Sequence, residues 1–303
     1  MSGEHDASQS GGVPEPATLY VVATPIGNLA DITLRALSVL KGVSVIAAED
    51  TRTTARLLDR HGIHTRMVSL HEHNESHRAD AIVQRLAQGE SVALVSDAGT
   101  PVLSDPGAIL VERVRSAGFR VIPIPGASAL IAALSVAGLA GTAFQFAGFL
   151  PDRPTARRKF IASLADLACI LVFYEAPHRV VACVRDLARE LGGERDIVIA
   201  RELTKLFESV HRCRLEEAAA WLEEDTDRQR GEFVLLISGV APQSGRDEEH
   251  AARADKVLRV LLAELPLAQS VKMACAITGL RRGDLYARAL ELAGQRSVTS
   301  PSD

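Results

Sequence analysis

The stretch Val92–Gly107, VALVSDAGTPVLSDPG, limits what this chain can fold into more than any other. Its four leading apolar residues, Val92 to Val95, suit a strand buried on both faces of a parallel sheet. Nothing after Ser96 can continue that strand. Gly99 opens backbone angles closed to other residues, Pro101 has no N–H to donate, and Asp105-Pro106-Gly107 is a second turn signal. A buried strand that runs into such turns belongs to an open α/β sheet, where ligands sit beyond the carboxyl ends of the strands. The turn therefore places a carboxylate (Asp97), a position without a side chain (Gly99) and a hydroxyl (Thr100) where a small ligand would be held.

Three further apolar runs end in turns of the same kind. Leu19–Ala23 leads into Thr24-Pro25-Ile26-Gly27-Asn28, with Asp31 or Thr33 as the cap of the next helix. Val43–Ala48 ends in Glu49-Asp50-Thr51-Arg52, which opens a helix carrying Arg52, Arg56 and Arg60 on one face. Phe119–Ile124 ends in Pro125-Gly126-Ala127-Ser128-Ala129, a helix start whose free N–H groups and Ser128 hydroxyl suit a polar ligand. Neither G-x-G-x-x-G nor G-x-x-x-x-G-K-[ST] is present, which removes support for dinucleotide and P-loop sites. Gly126-Ala127-Ser128 lacks the second glycine of a hydrolase elbow, since Leu130 stands there.

A second unit starts near Ala143, with strands expected at Phe144–Pro151, Cys169–Tyr174, Ile197–Ala200 and Gly231–Ile237. These make a mixed sheet covered by helices. Arg153, Arg157, Arg158 and Lys159 form the densest basic cluster, which reads as a phosphate contact or as a solvated helix face. Leu258, Leu261 and Leu262 repeat at helical spacing, Pro266 starts another helix and Gly279 punctuates. A small helical module results, whose Lys272, Arg281, Arg282 and Arg288 suit either RNA contact or a dimer-stabilising role.

At 303 residues the chain holds about two domains plus extras. The expected division is a disordered tail at 1–17, an α/β domain at 18–127, a second at 128–240, a linker at 241–252 and helices at 253–303. The net charge of −4 does not mark a nucleic-acid binder as a whole, so an RNA footprint must be a patch. From Arg253 onward eight basic residues face five acidic ones. Cys169, Cys183, Cys213 and Cys275 form no C-x-x-C pair, which fits a reducing compartment. Val121–Pro151 is free of charge, yet its three prolines and four glycines suit a strand, a turn and a buried helix better than a membrane span. His71, His73 and His77 lack zincin order and an obvious third ligand, so no metal is expected.

The SDAGTP-x-[IL]-SDPG signature at Ser96–Gly107 resembles that of the tetrapyrrole methylase superfamily, in its ribosomal RNA small subunit methyltransferase I branch. Three segments match in the same order: Ala23–Leu29 with Asp31-Ile32-Thr33, then Ala48–Arg52, then Pro125–Ala129. The Ala-Arg-Glu-Leu-Thr-Lys run ending at Lys205 and Gly-Glu-Phe-Val from Gly231 are also family-like. The resemblance implies two α/β lobes with a cofactor cleft between them, plus a small C-terminal helical module. It implies S-adenosylmethionine as methyl donor and the ribose 2′-hydroxyl of a cytidine in 16S rRNA as acceptor. A cytoplasmic homodimer acting on the small ribosomal subunit, with no membrane, is the corresponding expectation. On the same basis Pro25, Asp97, Gly99, Thr100 and Leu103 would hold the donor from the first lobe. Ser128, Ala129, Phe149, Leu150 and Gly231 would complete that site. Asn28, Arg52, Arg56, His71, Arg157, Arg158 and Arg201 are the expected RNA contacts. A 2′-hydroxyl needs a proton acceptor, and Glu49, Asp50, His71 and Glu202 stand at strand ends without the sequence choosing among them. The alternatives are a methylase for a small tetrapyrrole-like molecule, whose first loop would carry a G-x-G-P-G motif, and a non-catalytic ribosome-assembly protein.

Overall fold

A computed structural model describes residues 14–240 and 244–297. The first lobe runs β1 (Thr18–Val22), α1 (Leu34–Gly42), β2 (Val45–Ala48), α2 (Thr51–Arg60), β3 (Met67–Ser69), α3 (Glu75–Ala87), β4 (Val92–Val95), α4 (Ala108–Ser116) and β5 (Arg120–Ile124). Its five strands are all parallel, in the order β3-β2-β4-β1-β5. Alternate residues of each strand feed opposite faces. Tyr20, Val22, Ile46, Ala93 and Val95 pack with Val39 and Leu40 of α1 on one side. Leu19, Ala47, Val92 and Leu94 pack with Leu86 of α3 and Leu110 of α4 on the other. This is why β4 reads as an unbroken apolar run: both of its faces are core. Register pairs Ala48 with Val95 and Val21 with Leu94, so the turns after β1, β2 and β4 emerge side by side.

The second lobe runs α5 (Ala129–Val136), β6 (Phe144–Phe149), α6 (Pro154–Ala162), β7 (Ile170–Glu175), α7 (Val180–Leu191), β8 (Asp196–Arg201), β9 (Ser209–Arg214), α8 (Leu215–Glu223) and β10 (Phe233–Ile237). Its sheet is mixed, in the order β6-β7-β10-β8-β9, with only β6 and β7 parallel. Leu171, Phe173, Ile199 and Leu235 pack beneath α7 and α8, while Val172, Val198 and Leu236 pack against Leu130 and Ala133 of α5. Only that face of α5 is covered: Ile131 and Val136 are 55% and 53% exposed, which corrects the expectation of a buried helix. Two strands escape the sequence reading. β3 spans three residues, and β9 is an edge strand of sequence SVHRCR whose residues alternate between half-buried and exposed. α3 starts at Glu75, directly after Asn74, and Glu75 is itself buried.

The third body is α9 (Ser244–Glu264), α10 (Leu267–Thr278) and α11 (Arg282–Ser297), a separate compact unit around Leu258, Val271, Ala274, Leu285 and Ala289. Pro266 caps the start of α10, and Gly279, at φ +71°, ends it in the left-handed form that glycine adopts freely. α9 begins at Ser244, inside the stretch 241–252 whose composition reads as a linker; 241–243 lie outside the described residues. Most of the expected tail, 1–13, lies outside them too. Its last residues are held: the Glu15 N–H donates to the Tyr20 hydroxyl at 2.8 Å, and the Glu15 carboxylate pairs with Arg120.

Candidate active site

Backbone hydrogen bonds lock the turns at the carboxyl edge of the first sheet to one another. The Thr24 N–H donates to the Gly99 carbonyl at 2.8 Å, and the Gly99 N–H returns the bond to the Thr24 carbonyl at 3.0 Å. Gly99 sits at φ +81° with Ile26 close by, so a side chain there would strain the backbone and crowd Ile26. The Thr100 hydroxyl donates to the Ala127 carbonyl at 3.2 Å and so joins this turn to the bend before α5. Val102 and Ser104 have φ of +77° and +67° without being glycine, a strain of about 1–3 kcal/mol each. The far end of the turn is anchored by the buried carboxylate of Glu75, which accepts the N–H groups of Gly107 and Leu110 at 3.0 Å each. Glu75 thereby caps the positive end of α4, which has no side-chain cap of its own.

Beside this turn lies a cavity of about 320 Å³. The first lobe supplies Ile26, Gly99, Thr100, Leu103, Ser104 and Asp105 to its wall. Ser128 and Ala129 close one side; Phe149, Tyr174, Glu175, Leu203, Glu232 and Val234 of the second lobe face them. The Tyr174 ring meets Phe146 and Phe149 edge-on at 4.8 and 5.8 Å, and its hydroxyl accepts the Leu130 N–H at 3.2 Å. A mostly apolar wall with a few convergent polar groups is the usual form of a small-molecule site. Two features say what kind of molecule fits. The Ser128 hydroxyl is buried without a hydrogen-bond partner, a deficit that a polar ligand would remove. The charged side chains of the wall are all carboxylates, Asp105, Glu175 and Glu232, which favours a cationic ligand.

The electrostatics deepen that acidity. Burial raises Asp105 to about 6, helped by the charges of Glu49 and Asp97 and opposed by the Ser96 hydroxyl. Burial also raises Glu49 and Asp97, each with neighbouring carboxylates adding to the effect. Asp50 goes the other way, to about 2, because Arg52 hydrogen-bonds to it.

The comparisons with known proteins place this geometry. The model of the Tetrapyrrole (Corrin/Porphyrin) Methylases matches residues 18–219, both lobes of the fold almost entire. The chain belongs to that family. Residues 248–293 match the RsmI C-terminal HTH domain. Ribosomal RNA small subunit methyltransferase I of Pseudomonas aeruginosa is 48% identical, over 92% of this chain and 98% of that protein. Its counterpart in Neisseria meningitidis serogroup A is 49% identical over 90% and 93%. Among solved structures, the methyltransferase CobJ aligns with a TM-score of 0.57 at 21% identity, covering 74% of this chain and 94% of its own. Uroporphyrin-III-C-methyltransferase from Thermus thermophilus aligns with 0.53 at 19%, covering 76% and 98%. At those identities the two structures establish the fold alone.

Within this methylase, six of the ten residues expected at the donor site line the cavity: Gly99, Thr100, Leu103, Ser128, Ala129 and Phe149. Four do not. Pro25 is buried in the turn beneath, and Leu150 belongs to the core under the second sheet. Asp97 turns to the neighbouring loop, where it accepts the Asp50 N–H at 3.0 Å. Gly231, at φ +91°, makes room for Glu202. The sequence reading missed Asp105, Tyr174 and Glu175. Glu175 ends β7, where ligands can gather, yet nothing in the sequence says that this strand end faces the signature turns.

The expected RNA contacts divide more sharply. Arg52 and Arg56 are exposed on α2, and His71 is exposed with its ring held by Asn74 at 3.0 Å. Asn28 is exposed and uses its side chain to cap a short 3-10 turn. Arg157 is a correction. Its side chain is 6% exposed and bonds Asp186 at 2.6 Å, so it holds α6 to α7 and does not meet solvent. Arg158 keeps a partly exposed guanidinium 3.7 Å from the same Asp186. Arg201 is committed to Ser209 and to the carbonyls of Asp227 and Arg230. In the helical unit Arg288 is likewise taken, by Asp255 at 2.6 Å and Glu291 at 2.7 Å. Among the described residues no group of three or more His, Cys, Asp or Glu is placed to hold a metal ion, and no helix is long and apolar enough to cross a membrane.

Proposed function

We propose that this chain is an S-adenosylmethionine-dependent methyltransferase that methylates the ribose 2′-hydroxyl of a cytidine in 16S rRNA of the small ribosomal subunit. The observation that carries the reading is the cavity itself: an apolar chamber walled by carboxylates, with the unpartnered Ser128 hydroxyl, at the junction of the signature turns. The relatives named as ribosomal RNA small subunit methyltransferase I support the substrate class, and one uroporphyrin-III C-methyltransferase of the same fold was solved with S-adenyl homocysteine bound.

When bound, the donor supplies an activated methyl group on a positively charged sulfur. The protein's part is to hold and orient. Leu103, Phe149 and Leu203 offer flat apolar surface, and the carboxylate wall favours the positive charge while the chamber limits water. Ser128 stands ready to hydrogen-bond a polar end. Arg56, exposed on α2, the partly exposed Arg158, and Arg52, which pairs with Asp50 but stays open to solvent, are the groups left to meet RNA phosphates. Action as a homodimer in the cytoplasm belongs to the same proposal.

The test is transfer from methyl-labelled donor to small ribosomal subunits, followed by digestion of the RNA to nucleosides. Label on 2′-O-methylcytidine is the expected result. Label on a base atom, or none, removes the reading.

A further inference from the structure

The cavity wall singles out one group to take the proton from the acceptor hydroxyl. Among the acids expected at strand ends, the Glu49 carboxylate accepts the Asp97 N–H at 3.4 Å. Asp50 caps α2 and pairs with Arg52 at 2.7 Å. Glu202 is bound by the Lys205 ammonium at 2.8 Å and accepts the Glu232 N–H at 2.9 Å. None of these three lines the cavity.

Three other carboxylates do, and two of them are already engaged. Glu175 has a fully buried side chain gripped by Arg179 at 2.9 Å and by the Ala176 N–H at 2.8 Å. Glu232 pairs with Lys205 at 3.0 Å. Asp105 faces the cavity with no ion-pair partner among the described residues. The groups facing it are the Ser96 hydroxyl and Asp97 after β4, Glu49 at the end of β2, and the Tyr174 hydroxyl on β7. The turn that carries it is fixed by the left-handed residues Val102 and Ser104 and by the Glu75 anchor, so its position does not depend on a mobile loop.

We infer that Asp105 is the proton acceptor of the transfer: its carboxylate takes the 2′-hydroxyl proton while the ribose oxygen bonds the methyl carbon. The carbon–sulfur bonding pair stays on sulfur, and the sulfonium and carboxylate charges are both neutralised; Asp105 then returns its proton to water. This rests on the ribose reading above, since a base-carbon acceptor would present a different proton. Raised to about 6, Asp105 is ionised at neutral pH yet holds a proton more firmly than an ordinary aspartate, which suits a general base. A base must be ionised to act, so the rate should rise with pH through about 6 and level off above it.

The experiment is single-turnover transfer to small ribosomal subunits between pH 5 and 9, with donor affinity measured by calorimetry on the same full-length proteins. Asp105→Asn is expected to slow transfer by about 10²–10⁴, a loss well beyond any fall in donor affinity, and to lose the limb near pH 6. Asp105→Glu should restore part of the rate together with that limb. In the wild type, the Asp105 carboxyl signal followed by NMR should titrate near 6. The Asn variant removes a half-buried charge from beside two others, so it is expected to fold at least as stably as the wild type. A rate within tenfold of wild type overturns the inference. So does a loss matched by the loss of donor affinity with the pH limb intact, which would make Asp105 a donor anchor. Wild-type transfer to a base atom is a separate failure: it removes the ribose reading whatever Asp105 does.

Discussion

Replacing Arg157 with Ala is expected to destabilise the protein by about 3–5 kcal/mol, the usual cost of removing one partner of a buried ion pair. The reason lies in α6 and α7. Arg157 bonds Asp186 at 2.6 Å, with the two side chains only 6% and 13% exposed, and it also donates to the Asp152 carbonyl. Deleting the guanidinium leaves a carboxylate half-satisfied, with only Arg158, 3.7 Å away, to compensate. Denaturant titration measures the loss, read as a lower midpoint with an unchanged slope. The same variant separates two readings of the basic cluster. If Arg157 held RNA phosphate, Arg157→Ala would weaken RNA binding with little effect on stability, as Arg52→Ala on the exposed face of α2 should.

The second large effect is expected at Glu75. Its carboxylate is buried and accepts two N–H groups at the start of α4, and hydrogen bonds to a charged group contribute about 1.5–3 kcal/mol each. Glu75→Ala should therefore lower stability by about 3 kcal/mol and loosen the end of the Ser96–Gly107 turn. Because that turn lines the cavity, donor affinity should fall with it. Glu75→Gln keeps one acceptor oxygen and should lose less on both counts. Thermal unfolding and calorimetric titration of the donor check the pair. A variant that loses stability and keeps full donor affinity would uncouple the anchor from the site.

The strands were readable where burial leaves a mark. β2, β4 and β10 are covered on both faces and appear as plain apolar runs, and the turn after β4 announces itself through glycine and proline. β3 and β9 were not readable, because one is three residues long and the other is a half-exposed edge. The same division runs through the site. Gly99, Thr100 and Ser128 belong to turns whose residues are unusual in themselves. Tyr174 and Glu175 come to the cavity only because β7 is placed opposite those turns, a fact of tertiary packing. Arg157 shows the reverse error. One-dimensional charge density made it look like a phosphate contact, while a single aspartate 29 positions later turns it inward. Asp105 was legible as a turn residue and illegible as an acid, since its raised pKa comes first from burial and then from Glu49 on the turn after β2, with Asp97 on its own turn adding to it.

The most direct test of the whole account is amide hydrogen exchange of the full chain with and without S-adenosylmethionine. Protection should appear in residues 97–105, at the bend 126–130 and around 174–176, the segments that meet at the cavity. Protection confined to other surfaces, or none at saturating donor, would contradict a methyl-donor site between the two lobes.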